Sequence, residues 1–335
     1  MSGLKEAVRG VASQIVVRTG VTALSRVLFP KQGAIVLYGH RISEDDEGFL
    51  QGLRPDWLTQ HLEYLTRHFE VIPLAVLVRC LEERRPVPHR SVVLTFDDGF
   101  RDNVDPGLPI LQRFRVPATV FLVTGAISSG ELPWSQRLGF LFQHTVATEL
   151  QHPLLGPSPA ELSTPAARRA AYLAAKEPLK DMGRVQREAV LAELAAGLGV
   201  DAPRDRMLTW EQARAMQAAG IELGAHTYSH PLLARIPAGE ARMEMERSRE
   251  DLREHLGIER PSFCFPAGSV SRTLLDLVPR LGYCSAFQPN RTFRVNTVDN
   301  ADAYSMSRVG MMNGPGVYLE AELDGPFQTL RALVR

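Results

Sequence analysis

Ser91-Val92-Val93-Leu94-Thr95-Phe96-Asp97-Asp98-Gly99-Phe100 is the stretch whose reading decides the fold. A run of β-branched and apolar residues leads into two adjacent carboxylates and then a glycine. It reads as a buried strand whose C-terminal end carries Asp97 and Asp98. Neighbouring strand residues point to opposite sides, but at a strand end before a glycine turn both can reach one cleft. Two acids at such an edge point to divided labour, one for a metal and one for a proton.

The same rhythm continues on both sides. Upstream, Ala34 to Tyr38 reads as a strand that delivers Gly39-His40-Arg41. Downstream, a helix including Leu108 to Phe114 leads to a strand over Pro117 to Val123. The upstream elements also include a helix over Trp57 to His68, a short strand at Phe69 to Ile72 and a helix over Leu74 to Glu83. Ile127 to about Arg206 interrupts the alternation with alanine-, leucine- and arginine-rich stretches. We read residues 127–206 as a helical insertion on the rim that shapes access. The rhythm resumes with a helix at Trp210 to Ala219 and a strand at Ile221 to Ala225 that delivers His226. A charged helix from Ala238 to His255 follows, then a strand at Ser262 to Phe265, a helix at Thr273 to Leu281, and strands at Tyr283 to Phe287 and Tyr304 to Arg308. Alternating strands and helices predict parallel βαβ units. About seven strands with polar residues at their C-terminal ends fit an α/β protein, a distorted (β/α) barrel with a catalytic rim. A doubly wound open sheet has the same periodicity. The expected organisation is an N-terminal amphipathic segment over 1–32, a catalytic unit over 33–314 and a C-terminal tail over 315–335 with a final helical turn.

Composition limits the function classes. The 335 residues carry 38 basic and 38 acidic side chains, so no basic excess marks a nucleic-acid binder. Cys80, Cys264 and Cys284 are widely spaced, which predicts a reducing compartment or inert core thiols, and a cytoplasmic location. Val11 to Phe29 is apolar but is broken by Gln14, Arg18, Thr19 and Arg26, short of the roughly 18–20 apolar residues of a spanning helix. It predicts an amphipathic helix packed on the domain. Contact of residues 1–30 with a membrane surface is the second reading.

His226-Thr227-Tyr228-Ser229-His230 is the second strong feature. Histidines at i and i+4 share a face if the segment is helical. They follow a strand, at the same rim as Asp97 and Asp98. Two imidazoles and one carboxylate form an open three-ligand set of the zinc type, which brings the pKa of a bound water to about 7. The second carboxylate can then take the proton. Zn2+ suits the set best, with Co2+, Ni2+ and Fe2+ as alternatives.

Thr95-Phe96-Asp97-Asp98-Gly99 followed by His226-Thr227-Tyr228-Ser229-His230 resembles the polysaccharide deacetylase family, the NodB-homology or carbohydrate esterase 4 group. The Pro117 to Val123 strand resembles the one that follows the first motif. The similarity runs from about Ala34 to Met311, with the insertion outside it. The resemblance implies that Asp98, His226 and His230 hold the metal and that Asp97 is the general base. It implies a distorted barrel and hydrolysis of an N-acetyl group, at times an O-acetyl group, on a sugar. The substrate would be an N-acetylated amino-sugar polysaccharide or glycan precursor, with a lipid-linked sugar as an alternative.

Two departures follow. The third motif is Phe263-Cys264-Phe265-Pro266-Ala267-Gly268, with Ala267 where an aromatic is common. Pro266, Ala267 and Gly268 remain the expected substrate and oxyanion segment. No histidine follows His255, so the usual late acid is missing. Val36 to Ile42 resembles the first-strand segment of a subgroup that includes the poly-N-acetylglucosamine deacetylases, which implies His40 as the acid. Ser307-Arg308-Val309 resembles that subgroup's late arginine, which implies that Arg308 orients Asp97. Arg260 is the competing arginine. Trp134 could stack on a sugar, although core packing is its ordinary role. His61, His68, His89, His144, His152 and His255 lack ligand spacing. A deformylase or other amide hydrolase on a lipid-linked sugar, and a catalytically inactive glycan-binding module, are the competing functions.

Overall fold

The computed structural model describes residues 2–29, 31–44, 52–288 and 295–326. In chain order the elements begin with α1 (Ser2–Arg18), α2 (Val21–Leu28), β1 (Ala34–Gly39), α3 (Pro55–His68), β2 (Glu70–Val71), α4 (Leu74–Glu82) and β3 (Ser91–Phe96). They continue with α5 (Gly107–Phe114), β4 (Thr119–Leu122), α6 (Thr124–Ser129), α7 (Trp134–His144), β5 (Glu149–Leu150), β6 (Ala160–Glu161), α8 (Pro165–Leu179) and α9 (Arg184–Leu198). The last are α10 (Trp210–Ala218), β7 (Glu222–Ala225), α11 (Ala238–Leu256), β8 (Ser262–Phe263), α12 (Arg272–Arg280), β9 (Ser285–Gln288), β10 (Met306–Gly310) and α13 (Gly316–Asp324).

Seven strands, in the order β1-β10-β9-β8-β7-β4-β3, close on themselves because β3 also pairs with β1. Every pairing in the ring is parallel. This is the expected α/β barrel of seven strands, and the doubly wound open sheet is excluded. β2 pairs with the first two residues of β3 and stays outside the ring.

Alternation sorts the strand residues. Ile35, Leu37, Val92 and Leu94 join the large core between barrel and helices. Ala34, Val36, Val93, Phe121, Phe287 and Met306 form a second core with α4. All six residues of β3 are buried, which accounts for its unbroken apolar run.

Register sets the rim. β1 and β3 pair from Ala34 opposite Ser91 to Gly39 opposite Phe96. Asp97 N then donates to Gly39 O at 2.9 Å, so His40 and Asp97 leave adjacent strand ends. Ala225 lies opposite Phe263, which sets His226 beside Cys264.

Several elements differ from the sequence expectation. The N-terminal segment forms two helices, separated at Thr19-Gly20, where Gly20 takes φ 75°. Residues 316–324 form a nine-residue helix, more than a final turn, with Leu319 and Leu323 buried. Its fully buried Asp324 accepts from Tyr64 and Arg90, and Thr22 of α2 donates to Glu320 at 2.8 Å. The insertion has its own core around Leu138, Phe142 and Leu194, and it contains the small antiparallel pair β5–β6 that the sequence pattern does not show. The last barrel strand runs over 306–310, two residues later than expected. An acidic loop expected over 43–48 lies outside the described residues from position 45 on, as does the end of the tail. Among the described residues, no helix is long and apolar enough to cross a membrane. Val11, Ile15, Leu24 and Val27 of the N-terminal helices and Phe29 just after them are exposed.

Candidate active site

The C-terminal ends of the strands surround a cleft of about 590 Å³ that contains Tyr38, His40, Asp97, Asp98, His226, His230 and Arg308. The turn after β3 explains how neighbouring carboxylates share it. Asp98 and Gly99 both take left-handed backbone conformations, with φ 75° and 77°. A Cβ on Gly99 would approach Leu122 Cδ2 to 2.9 Å, so glycine fits both the conformation and the space.

Asp97 points inward and is fully paired. Arg308 Nη1 donates to Oδ1 at 2.7 Å and Nη2 to Oδ2 at 2.8 Å. This is the bidentate geometry that matches guanidinium to carboxylate. Burial alone would raise the Asp97 pKa, but the Arg308 charge, His226 and the Arg308 hydrogen bonds hold it below the usual carboxylate value. Burial likewise opposes the guanidinium charge, and Asp97 outweighs it, so Arg308 stays protonated above its ordinary range. The guanidinium also lies 4.7 Å from the Tyr38 ring centroid and 4.9 Å from that of Phe287. Arg308 Nη2 further donates to Cys264 Sγ at 2.8 Å. Burial, with Asp97 and Asp98 nearby, pushes that thiol up, so it stays neutral. Arg260 lines a separate cavity with Glu222 and Cys284, away from Asp97.

Asp98 is only half paired. Its Oδ2 accepts from Gln136 Nε2 at 2.9 Å. Its buried Oδ1 makes no hydrogen bond and lies 3.2 Å from His230 Nε2 and 3.5 Å from His226 Nε2. Ligand atoms of Asp98, His226 and His230 all lie within 4.8 Å of one another. Burial would raise the Asp98 pKa, yet His230, His40 and His226 keep it strongly depressed. Burial lowers His226 to about 4, so its imidazole is neutral near pH 7. His226 Nδ1 lies 2.7 Å from Cys264 O, and a carbonyl only accepts, so the proton sits on Nδ1 and the Nε2 lone pair faces Asp98. A buried, unpartnered carboxylate oxygen facing two imidazole nitrogens fits a divalent cation.

The two histidines do not converge on a helix. Residues 226–230 form a loop in which Thr227 and His230 take φ 67° and 60°. Of the seven non-glycine residues with positive φ among the described residues, Asp98, Thr227, His230 and Ala267 line this site or support it. Asn103 Nδ2 anchors His40 by donating to its carbonyl at 2.8 Å, and the exposed imidazole stands edge-on to Tyr38. In the Pro266–Gly268 turn, proline has no N–H and Gly268 N donates to Phe265 O at 3.0 Å. Any backbone donor this turn offers the cleft is therefore that of Ala267, which has φ 50°.

Sequence reading missed Gln136, which reaches Asp98 from the insertion. Trp134 packs in the insertion's core, its ordinary role, and also donates through Nε1 to His230 O at 2.7 Å, a partner the sequence did not show. The other histidines stand apart. His61 Nε2 bonds Gly314 O, His144 stacks on Phe140 and His255 stacks on Trp210.

Comparison with known proteins gives the following. The family model described as polysaccharide deacetylase matches residues 84–286, more than half of the chain. The poly-β-1,6-N-acetyl-D-glucosamine N-deacetylase of Escherichia coli strain K12 is 28% identical over 93 residues, which cover 27% of this chain and 14% of that protein's length. The structure of IcaB from Ammonifex degensii superposes with TM-score 0.57 at 19% identity, covering 88% of this chain and 97% of that one. The Streptococcus pyogenes deacetylase PplD, solved in complex with acetate, superposes with TM-score 0.56 at 17% identity over 87% and 97%. Both structures share the fold.

Proposed function

This chain belongs to the polysaccharide deacetylase family, and on that premise we propose that it is a metal-dependent hydrolase that removes N-acetyl groups from an amino-sugar polysaccharide or a glycan precursor. The observation that carries the reading is the pair of neighbouring carboxylates with different environments. Asp97 is held ionised by Arg308, while Asp98 offers one free oxygen to two imidazoles.

Asp98, His226 and His230 would hold the cation, and this mixed nitrogen and oxygen set suits Zn2+, with Co2+, Ni2+ or Fe2+ as alternatives. A divalent cation there supplies Lewis acidity, polarising a carbonyl oxygen and acidifying water. The residues of the chain do the rest. Asp97 accepts the proton of the attacking water. Arg308 fixes the direction of that carboxylate and keeps it charged, and its depressed pKa makes it a weak base that works by position. Ala267 N–H supports the developing oxyanion. A C–O bond forms, the C–N bond breaks, and His40 protonates the departing amine as acetate is released.

Acetate release from N-acetylglucosamine oligosaccharides tests the reading, with the Asp97→Asn variant as control. That variant should keep its metal and lose turnover. Full activity in Asp97→Asn would remove the base assignment. The exposed apolar side chains Val11, Ile15, Leu24, Val27 and Phe29 favour a second substrate, a lipid-linked amino sugar from which an acyl or formyl group is cleaved. Vesicle co-sedimentation that disappears on deleting residues 1–30 would support it. A binding-only glycan module has no use for the Arg308–Asp97 pair beside the cation site.

A further inference from the structure

We infer that Gln136 is a positioning residue of the metal centre, holding Asp98 to ligation through a single oxygen. The inference rests on reading Asp98, His226 and His230 as the cation site.

A free carboxylate can meet a cation with one oxygen or two. Asp98 is fully buried, and its two oxygens have different fates. Gln136 Nε2 occupies Oδ2 at 2.9 Å, and Oδ1 is left facing both imidazoles. The amide itself is oriented. The ionised Asp98 carboxylate only accepts, so the amide turns Nε2 toward it, and Oε1 on the other side accepts from Ser135 Oγ at 2.6 Å. Partners of this kind set the geometry and basicity of metal ligands.

Gln136 does not come from a barrel strand or its own βα turn. It lies in the first turn of α7, at the start of the insertion's helical core. The same turn carries Trp134, whose Nε1 donates to His230 O. One helical turn therefore contacts both Asp98 and His230, the two ligands whose backbones are left-handed. His226, the third ligand, is held by the carbonyl of Cys264, the residue that follows β8. The barrel thus fixes one ligand by strand pairing, and the insertion steadies the two that lie on turns. The insertion is part of the metal centre as well as its wall.

The test uses Gln136→Met in the full chain, which keeps side-chain length and removes the donor. Zn2+ affinity is measured by competition with a chromophoric chelator, and the Co2+-loaded protein is examined by visible spectroscopy. We expect affinity to fall about 10–100-fold, the cobalt d–d bands to weaken as Asp98 turns toward two-oxygen ligation, and kcat to fall more than KM rises. Ser135→Ala, which frees the amide without removing it, should shift affinity in the same direction by a few-fold. Both variants should still unfold cooperatively without metal, Gln136→Met at a lower temperature because buried Asp98 loses a donor, and an intact fold separates this role from folding. Unchanged zinc affinity with an unchanged cobalt spectrum would overturn the inference, as would a rise in KM alone, which would make Gln136 a substrate contact. A wild-type chain that takes up neither cation overturns the metal reading and the Gln136 assignment together.

Discussion

Asp97 and Asp98 are adjacent in the chain, equally buried and opposite in circumstance. Asp97 sits at the end of β3 with both oxygens engaged by Arg308, a cation anchored on β10 of the same barrel. Asp98 sits on a left-handed turn with one oxygen held by a neutral amide from the insertion and the other free. A carboxylate whose lone pairs are taken by a guanidinium cannot be a strong metal ligand. One with a vacant oxygen beside two imidazoles can. On the proposed function, the neighbours of each group, more than the groups themselves, separate base from ligand.

The largest expected effect comes from exchanging the two roles. Asp97→Asn should lower kcat/KM by about 10²–10⁴-fold, the range of a lost general base, while the metal content by elemental analysis equals that of the wild type. His230→Ala should do the reverse in order of cause, losing the metal first and the activity with it. A His230→Ala protein with wild-type zinc content would remove the ligand set.

Arg308→Met attacks the other half of the comparison. Removing one partner of a buried pair costs about 3–5 kcal/mol because the remaining charge is stranded, a loss readable in chemical denaturation. The pH response should also change sign. In the wild type the Asp97 pKa is depressed, so its stabilising contribution is complete above the unfolded value of 3.8 and is lost as pH falls through the lower folded value. Without Arg308, burial is no longer offset and the pKa rises above 3.8. The ionised group then destabilises the fold at neutral pH, and acidification relieves it. The acid limb of kcat/KM should move to higher pH in the same variant. An acid limb left where it was would mean that Arg308 does not set the charge of Asp97. The next effect is smaller and lies outside the pair: His40→Ala should reduce kcat about 10²-fold, and a wild-type kcat would exclude His40 as the acid.

Legibility followed range. The barrel was readable because buried parallel strands are continuous apolar runs with fixed punctuation, and Ser91 to Gly99 shows both. The residues that follow strand ends, Asp97, Asp98, His226 and His40, were placed on the rim for the same reason, since register brings strand ends together whatever the loops do, whereas Arg308, in the middle of β10, was reached through the family resemblance. The convergence of His226 and His230 was read from the spacing of a helix, whereas a left-handed turn at Thr227 and His230 produces it. Gln136 was invisible: the insertion follows no βα period, so nothing in its sequence says which way α7 faces. The burial of α13 was hidden similarly, because it depends on contacts almost 300 residues apart in the chain, such as Thr22 with Glu320.

The smallest effect gives the sharpest test of whether the insertion matters to the Asp98 half. Trp134→Phe keeps an aromatic ring in the core of α7 and removes the N–H that meets His230 O at 2.7 Å. A buried carbonyl left without that donor costs about 1–3 kcal/mol. The cost falls on a residue already in a left-handed conformation, so the His230 turn should relax. His226, held from the barrel by Cys264 O, should not move. The expected result is a zinc affinity about tenfold weaker, with the Asp97 acid limb unchanged, since Arg308 and β3 are untouched. If the acid limb shifts along with the affinity, the two halves of the cleft are mechanically one, and the separation between strand-held base and turn-held ligand fails.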